Sequence, residues 1–200
     1  MSEQPTADEP NAGDPKGTAD SRVSRRIQRW TPAAPWIALV IAVGVIATDQ
    51  LSKLWAEAML TSGERTPVIG DLLGIQLVHN PGAAFSLGAG ATWIFTILAG
   101  LGTLVALWFV WRVRSLAWAV CLGLLLGGAT THLLDRLLRA PGLGQGHVVD
   151  FIAYFDWFIG NVADIAIFAG AVMLLVLTAL GFAPRPAASV SPCRRPRTRT

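Results

Sequence analysis

Four apolar runs, each close to the length that crosses a hydrocarbon core and each nearly free of charge, limit what this chain can become. They lie at about Trp36 to Trp55, Ala91 to Trp111, Leu116 to Leu134 and Phe158 to Gly181. At 1.5 Å per residue, about 20 helical residues span the ~30 Å apolar interior of a bilayer. A helix or a closed barrel is the only structure that satisfies its own backbone there, so the runs predict four transmembrane helices. Composition agrees: 52% of residues are apolar, 14% are charged, and the mean hydropathy is +0.49. A soluble domain would scatter its charges along every helix face, whereas here they gather in the two ends and the short links.

Met1 to about Arg29 is rich in Pro, Gly, Asp, Glu, Ser and Thr and has little to bury, so it reads as a disordered arm. It is too polar and too long for the n-region of a cleaved signal peptide. The reading divides the chain into an arm (1–30), a four-helix membrane domain (31–183) and a disordered basic tail (184–200). Arg22, Arg25, Arg26 and Arg29 precede the first run, Arg112 and Arg114 fill the second link, and Arg185, Arg194, Arg195, Arg197 and Arg199 follow the fourth. By the positive-inside rule, both termini and that link are cytoplasmic. These basic flanks explain the pI of about 9.4 without nucleic acid. Cys121 and Cys193 have no partners at metal-ligand spacing, so neither a metal nor a cofactor is expected.

The two remaining links, about Leu60 to Gly90 and Arg136 to Trp157, are then extracytoplasmic. The first carries Gly-Asp, Asn-Pro-Gly and Gly-Ala-Gly turn signals around short apolar runs such as Ile75–Val78, and predicts a small strand-containing lobe. The second is a Gly-rich turn followed by Phe151, Tyr154, Phe155, Trp157 and Phe158, which suits an interfacial segment with its rings at headgroup level.

Polar residues are few at membrane depth, where a carboxylate costs roughly 2.5–3.5 kcal/mol on insertion scales. Asp49, Asp135 and Asp164 all fall near the outer edge of their runs. Lys53 follows Asp49 by four residues, so the two share a helix face and can pair. Asp135 and Asp164 stand beside His132, Arg136 and Asn161, with Gly127–Gly128 allowing close helix approach just below. Two carboxylates held close share one proton, so the charged one can deprotonate water while the protonated one polarises a peptide carbonyl. Such a pair hydrolyses amides without nucleophilic Ser or Cys, in keeping with the lack of GxSxG and HExxH and with the scattered His79, His132 and His147.

Four strings carry a family resemblance: DQLSK (Asp49 to Lys53), VHNPGAAFSL (Val78 to Leu87), GGATTHLLDR (Gly127 to Arg136) and GNVADIAI (Gly160 to Ile167). Together, in order and at matching topological positions, they resemble signal peptidase II, the lipoprotein signal peptidase family of membrane aspartic proteases, from about Ala34 to Ala183. The resemblance implies an all-α membrane protein of four transmembrane helices, with a small extracytoplasmic β-cradle and the interfacial segment between the last two helices. It implies cleavage of signal peptides from diacylglyceryl-modified bacterial prolipoproteins, immediately before the lipidated cysteine, at the extracytoplasmic leaflet of the cell membrane. It casts Asp135 and Asp164 as the catalytic pair, with Asn80, Asn161, Arg136, Asp49, Gln50, Lys53, Gly82, Gly128 and His132 as substrate-binding or supporting residues. The chain departs from the family pattern at His132, where Asn is usual, and at Gly160, where Phe is usual. The partners implied are prolipoproteins and membrane lipids, not nucleic acid; the oligomeric state is open, and a monomer suffices.

Two other classes compete. A proton-coupled transporter would spread its acids across membrane depth as a relay, but these cluster at one side. A non-catalytic assembly subunit would account for the Gly-rich faces but not for the polar convergence.

Overall fold

A computed structural model describes residues 31–82 and 89–184. The expected N-terminal arm, the tail from 185 onward and the Ala83–Leu87 part of the second motif lie outside the described residues. Four helices are long and apolar enough to cross a membrane: α1 (Ala34–Met59), α2 (Thr92–Val110), α3 (Leu116–Leu138) and α4 (Val162–Ala179). The strands β1 (Thr66–Ile69) and β2 (Leu73–Asn80) come between α1 and α2; β3 (Val148–Tyr154) and β4 (Phe158–Gly160) come between α3 and α4.

α3 is the central helix and packs against each of the other three. Small residues make this possible. A Cβ on Gly123 would stand 2.8 Å from the carbonyl oxygen of Ala38, and one on Gly127 would stand 2.7 Å from the Cβ of Val45. Ala38, Ala42, Ala119 and Leu122 fill the core between them. Outward positions are large and apolar, among them Val40, Leu51, Leu98, Leu104, Phe168 and Leu175. Lipid takes the place of water on these faces, and helix association depends on close packing of small residues.

At one end of the bundle the chain ties its own connections together. The N–H of Thr31 donates to the carbonyl of Arg114 at 2.8 Å, and that of Arg114 donates to Pro184 at 3.0 Å. The segment entering α1, the α2–α3 link and the exit from α4 therefore meet at the same end, with the Arg112 guanidinium 3.4 Å from the centroid of the Trp108 ring.

The other end carries a four-stranded antiparallel sheet in the order β1-β2-β3-β4. Its inner face packs Leu77, Val149 and Phe151 against Ala56 of α1. The segment between α3 and α4 belongs to this sheet: Val148–Tyr154 pairs along β2, and Phe158–Gly160 folds back on it through a turn in which Phe155 has φ 49°. The last helix begins at Val162 rather than Phe158, because Asn161 caps it. The Asn161 side chain accepts from the Asp164 N–H at 3.1 Å, and the Asp164 carboxylate accepts from the Asn161 N–H at 2.9 Å. This reciprocal pair satisfies two backbone donors that the helix start would otherwise leave open.

Candidate active site

The polar residues of the membrane domain separate into two clusters on neighbouring faces of α3. Thr131, Asp135 and Arg139 turn toward α1, whereas Gly128, His132 and Arg136 turn toward α4 and the sheet. Successive residues in a helix are 100° apart, so one step in sequence changes the partner entirely.

The first cluster is a sealed ion network. Lys53 Nζ lies 2.6 Å from both Asp49 Oδ2 and Asp135 Oδ2, and all three side chains have no exposed surface. Asp135 Oδ1 accepts from Gln50 Nε2 at 2.9 Å and from Arg139 Nε at 2.8 Å. Asp49 accepts from the Thr131 hydroxyl and, at 2.9 Å, from the backbone N–H of Ala163. Gln50 also donates to Thr131 Oγ1 at 2.7 Å. The network joins α1, α3 and the first turn of α4, and its mutual hydrogen bonding offsets the cost of burying charge.

The structure does not bring Asp135 and Asp164 into one cavity. Both oxygens of Asp135 are filled by Lys53, Gln50 and Arg139, and its carboxylate does not line the cavity that Asp164 faces. The acid that shares the cavity with Asp164 is Asp150, on β3.

Asp150 is 3% exposed, and amides hold both of its oxygens: Asn161 Nδ2 at 2.6 Å and Asn80 Nδ2 at 3.0 Å. The sheet register explains the second contact. Val78 pairs with Asp150 and Asn80 with Val148, so Asn80 and Asp150 are diagonal neighbours on one face. Asn80 is oriented in turn by the Gly82 N–H, 2.9 Å from its Oδ1. Arg136 staples this turn to α3: Nη1 reaches the carbonyls of Asn80, Pro81 and Gly146 at 3.0–3.1 Å, and Nη2 donates to the carbonyl of Gly82. Asp164 Oδ1 lies 3.1 Å from His132 Nε2, and its Oδ2 is held by the cap. Gly128 lets the two helices meet, since a Cβ there would stand 3.0 Å from the carbonyl oxygen of Ala163.

Burial, and then the negative charge of Asp164, push the Asp150 carboxyl up to about 6, against the pull of the two amides and His132. Neighbouring carboxylates that cannot both ionise at little cost are the arrangement that acid/base hydrolysis of an amide requires. They face a cavity of about 800 Å³ whose other walls include Phe95 and Ala99 of α2, Ile165 and Phe168 of α4, and Tyr154 and Phe158 of the sheet. Phe168 is 71% exposed on the outer surface of the bundle, so the cavity reaches the lipid-facing side between α2 and α4. A smaller, more polar cleft of about 330 Å³ shares Asn80, Asp150 and Phe158, and extends over the sheet to Arg65, Gln76 and Asp156.

Asn80, Gly82, His132, Arg136, Asn161 and Asp164 therefore gather around one site. Asp49, Gln50, Lys53 and Asp135 form the framework beside it, and Gly128 permits the helix contact behind it. Asp150 is the residue that sequence reasoning missed. Its signal was present: VVDFIA is a short apolar run after a Gly-rich turn, the pattern of a buried strand, and its one acid is a buried titratable group.

Comparison with known proteins places the chain. A model of the family described as signal peptidase (SPase) II matches residues 41–180. A lipoprotein signal peptidase of Rhodococcus jostii (strain RHA1) is 42% identical over 92% of this chain and 93% of its own length. One from Leifsonia xyli subsp. xyli is 46% identical over 72% of this chain and 68% of that protein. One from Mycobacterium tuberculosis (strain ATCC 25618 / H37Rv) is 40% identical over 86% of this chain and 79% of that protein. A bacterial membrane enzyme solved by the in meso method at 2.3 Å superposes with a TM-score of 0.65 at 26% identity, covering 77% of this chain and 94% of that one. The match along the four helices and the sheet is thus one of sequence and of shape, and the chain belongs to the signal peptidase II family.

Proposed function

We propose that this chain is a membrane aspartic endopeptidase that removes signal peptides from diacylglyceryl-modified prolipoproteins, with Asp150 and Asp164 as its catalytic pair. The observation that carries the reading is the opening of both acids into one largely apolar cavity that reaches the lipid face where bundle and sheet meet. Acyl chains and an apolar signal segment would enter from the bilayer between α2 and α4, at about 0.8 kcal/mol per buried CH₂. The scissile peptide would then lie against the sheet.

Asp150, raised to about 6, is the partner that carries the shared proton in the reactive form and donates it to the scissile carbonyl oxygen as water adds. Asp164 accepts a proton from the attacking water, whose oxygen adds to the carbonyl carbon. The tetrahedral intermediate collapses as the C–N bond breaks, the leaving nitrogen takes a proton from Asp164, and Asp150 regains its own. Asn80 and Asn161 hold Asp150, Asn161 also fixes Asp164, and Arg136 fixes the turn that aims Asn80. Electrostatic preorganisation of this kind needs no metal.

The positive-inside rule orients the molecule. The end that gathers Thr31, Arg112, Arg114 and Pro184 faces the cytoplasm of a bacterial cell, and the sheet faces outward. Residues 31–183 form the peptidase domain, between a cytoplasmic arm and a basic cytoplasmic tail. The test is incubation of detergent-purified protein with a lipidated precursor and its unlipidated twin. Release of the signal peptide from the lipidated form alone, lost in Asp150→Asn and in Asp164→Asn, is expected. Equal release from both precursors would contradict the substrate assignment.

A further inference from the structure

The two oxygens of Asp164 are controlled from opposite sides, and neither control is generic. On one side His132 Nε2 stands 3.1 Å from Oδ1. On the other, a Cβ at residue 160 would stand 2.9 Å from Oδ2, 3.6 Å from the Asp164 Cβ and 3.5 Å from Phe158. The backbone cannot move away from this contact. Gly160 pairs with Ile152 in the sheet, and the next residue, Asn161, is fully buried and carries the helix cap. Asp164, whose side chain is 42% exposed, is therefore bounded by an imidazole at Oδ1 and by bare backbone at Oδ2.

We propose that His132 and Gly160 are a coupled pair of positioning residues for Asp164: the ring holds one oxygen, and the absent side chain leaves room for the other. The proposal rests on Asp164 belonging to the catalytic pair.

The experiment measures signal-peptide release from a synthetic lipidated precursor in detergent micelles between about pH 5 and pH 9. It compares the wild-type chain with H132N, G160A and H132N/G160A. A methyl at 160 should displace Asp164 and lower kcat by about tenfold or more with KM little changed, as sub-ångström to 1 Å misplacements do. H132N, whose shorter amide does not reach Asp164 Oδ1 as the ring does, should likewise lower kcat severalfold with KM little changed. In the double variant the shorter amide frees space for the displaced carboxylate, so the loss should fall well short of the product of the two single losses. Single losses that multiply in the double variant would overturn the coupling. Should G160A fail to fold, a wild-type kcat in H132N would by itself overturn the positioning role. A wild-type chain that releases no signal peptide would defeat the peptidase reading itself, an outcome distinct from cleavage with additive variants.

Discussion

Replacing Asp150 with Asn should abolish catalysis and, at neutral pH, relieve the fold of an electrostatic burden whose size follows from the structure. Burial and the charge of Asp164 raise Asp150 from its usual 3.8 to about 6. At 1.36 kcal/mol per pH unit this is equivalent to ~3 kcal/mol. The sign follows from linkage. The folded state holds this proton more tightly than the unfolded state, so no destabilisation is felt below the unfolded value. Stability is lost as pH rises toward the folded value of about 6, and the loss is complete above it. The substituted amide would not titrate, although it would face one of the donors on Asn80 or Asn161 and forfeit a hydrogen bond at every pH. That loss is a constant offset of ~1–3 kcal/mol, whereas the linkage term appears only as a change between conditions. Thermal unfolding in detergent, followed by tryptophan fluorescence at pH 4 and pH 7, separates the two. The variant should gain ~2 kcal/mol relative to wild type between those pH values, or roughly 4–8 °C in Tm for a chain of this size. Tm curves that run parallel across that interval would refute the placement of Asp150 as a buried acid beside a second charge.

Other perturbations have equally definite expectations. Lys53→Met leaves the fully buried Asp49 and Asp135 facing each other without their shared cation; loss of ~3–5 kcal/mol is expected, visible as a Tm lower by about 6 °C or more. Asn161→Ala removes both the helix cap, at ~1 kcal/mol, and a donor to Asp150. Its kcat should fall by about a hundredfold or more while its Tm falls by only a few degrees, checked by kinetics and thermal unfolding on the same preparation. Gly127→Val pushes methyls toward Val45 and the Ala42 carbonyl, which costs ~1–3 kcal/mol and should lower Tm without changing the pH profile of the remaining activity.

The helices were legible because ~20 apolar residues admit little else in a bilayer, and all of them begin and end within about one turn of the expected positions. The last starts late because FIG continues the apolar run in composition while forming β4. The Asn161–Asp164 capping spacing was the local sign of the true boundary. The sheet was half legible: the first link announced its strands with turn residues, whereas the aromatics of the second drew attention from VVDFIA. Asp135 and Asp150 fail together for a single reason. Sequence gives depth along a helix, and Asp49, Asp135 and Asp164 do share a level, but it does not say which neighbour each face of α3 meets. Asp135 turned toward Lys53, and the acid that shares the cavity with Asp164 lies on a strand positioned by pairing with residues some seventy positions earlier.

The contest between Asp150 and Asp135 is decided by cleavage of a lipidated precursor by D150N and D135N side by side, with rates normalised to folded protein. D150N should lose activity by about a thousandfold or more, the order of an acid/base group. D135N, its framework loosened but its cavity intact, should still release signal peptide within about tenfold of wild type. Cleavage by D150N at near wild-type rate, with D135N inert though folded, would return the role to Asp135 and contradict the account.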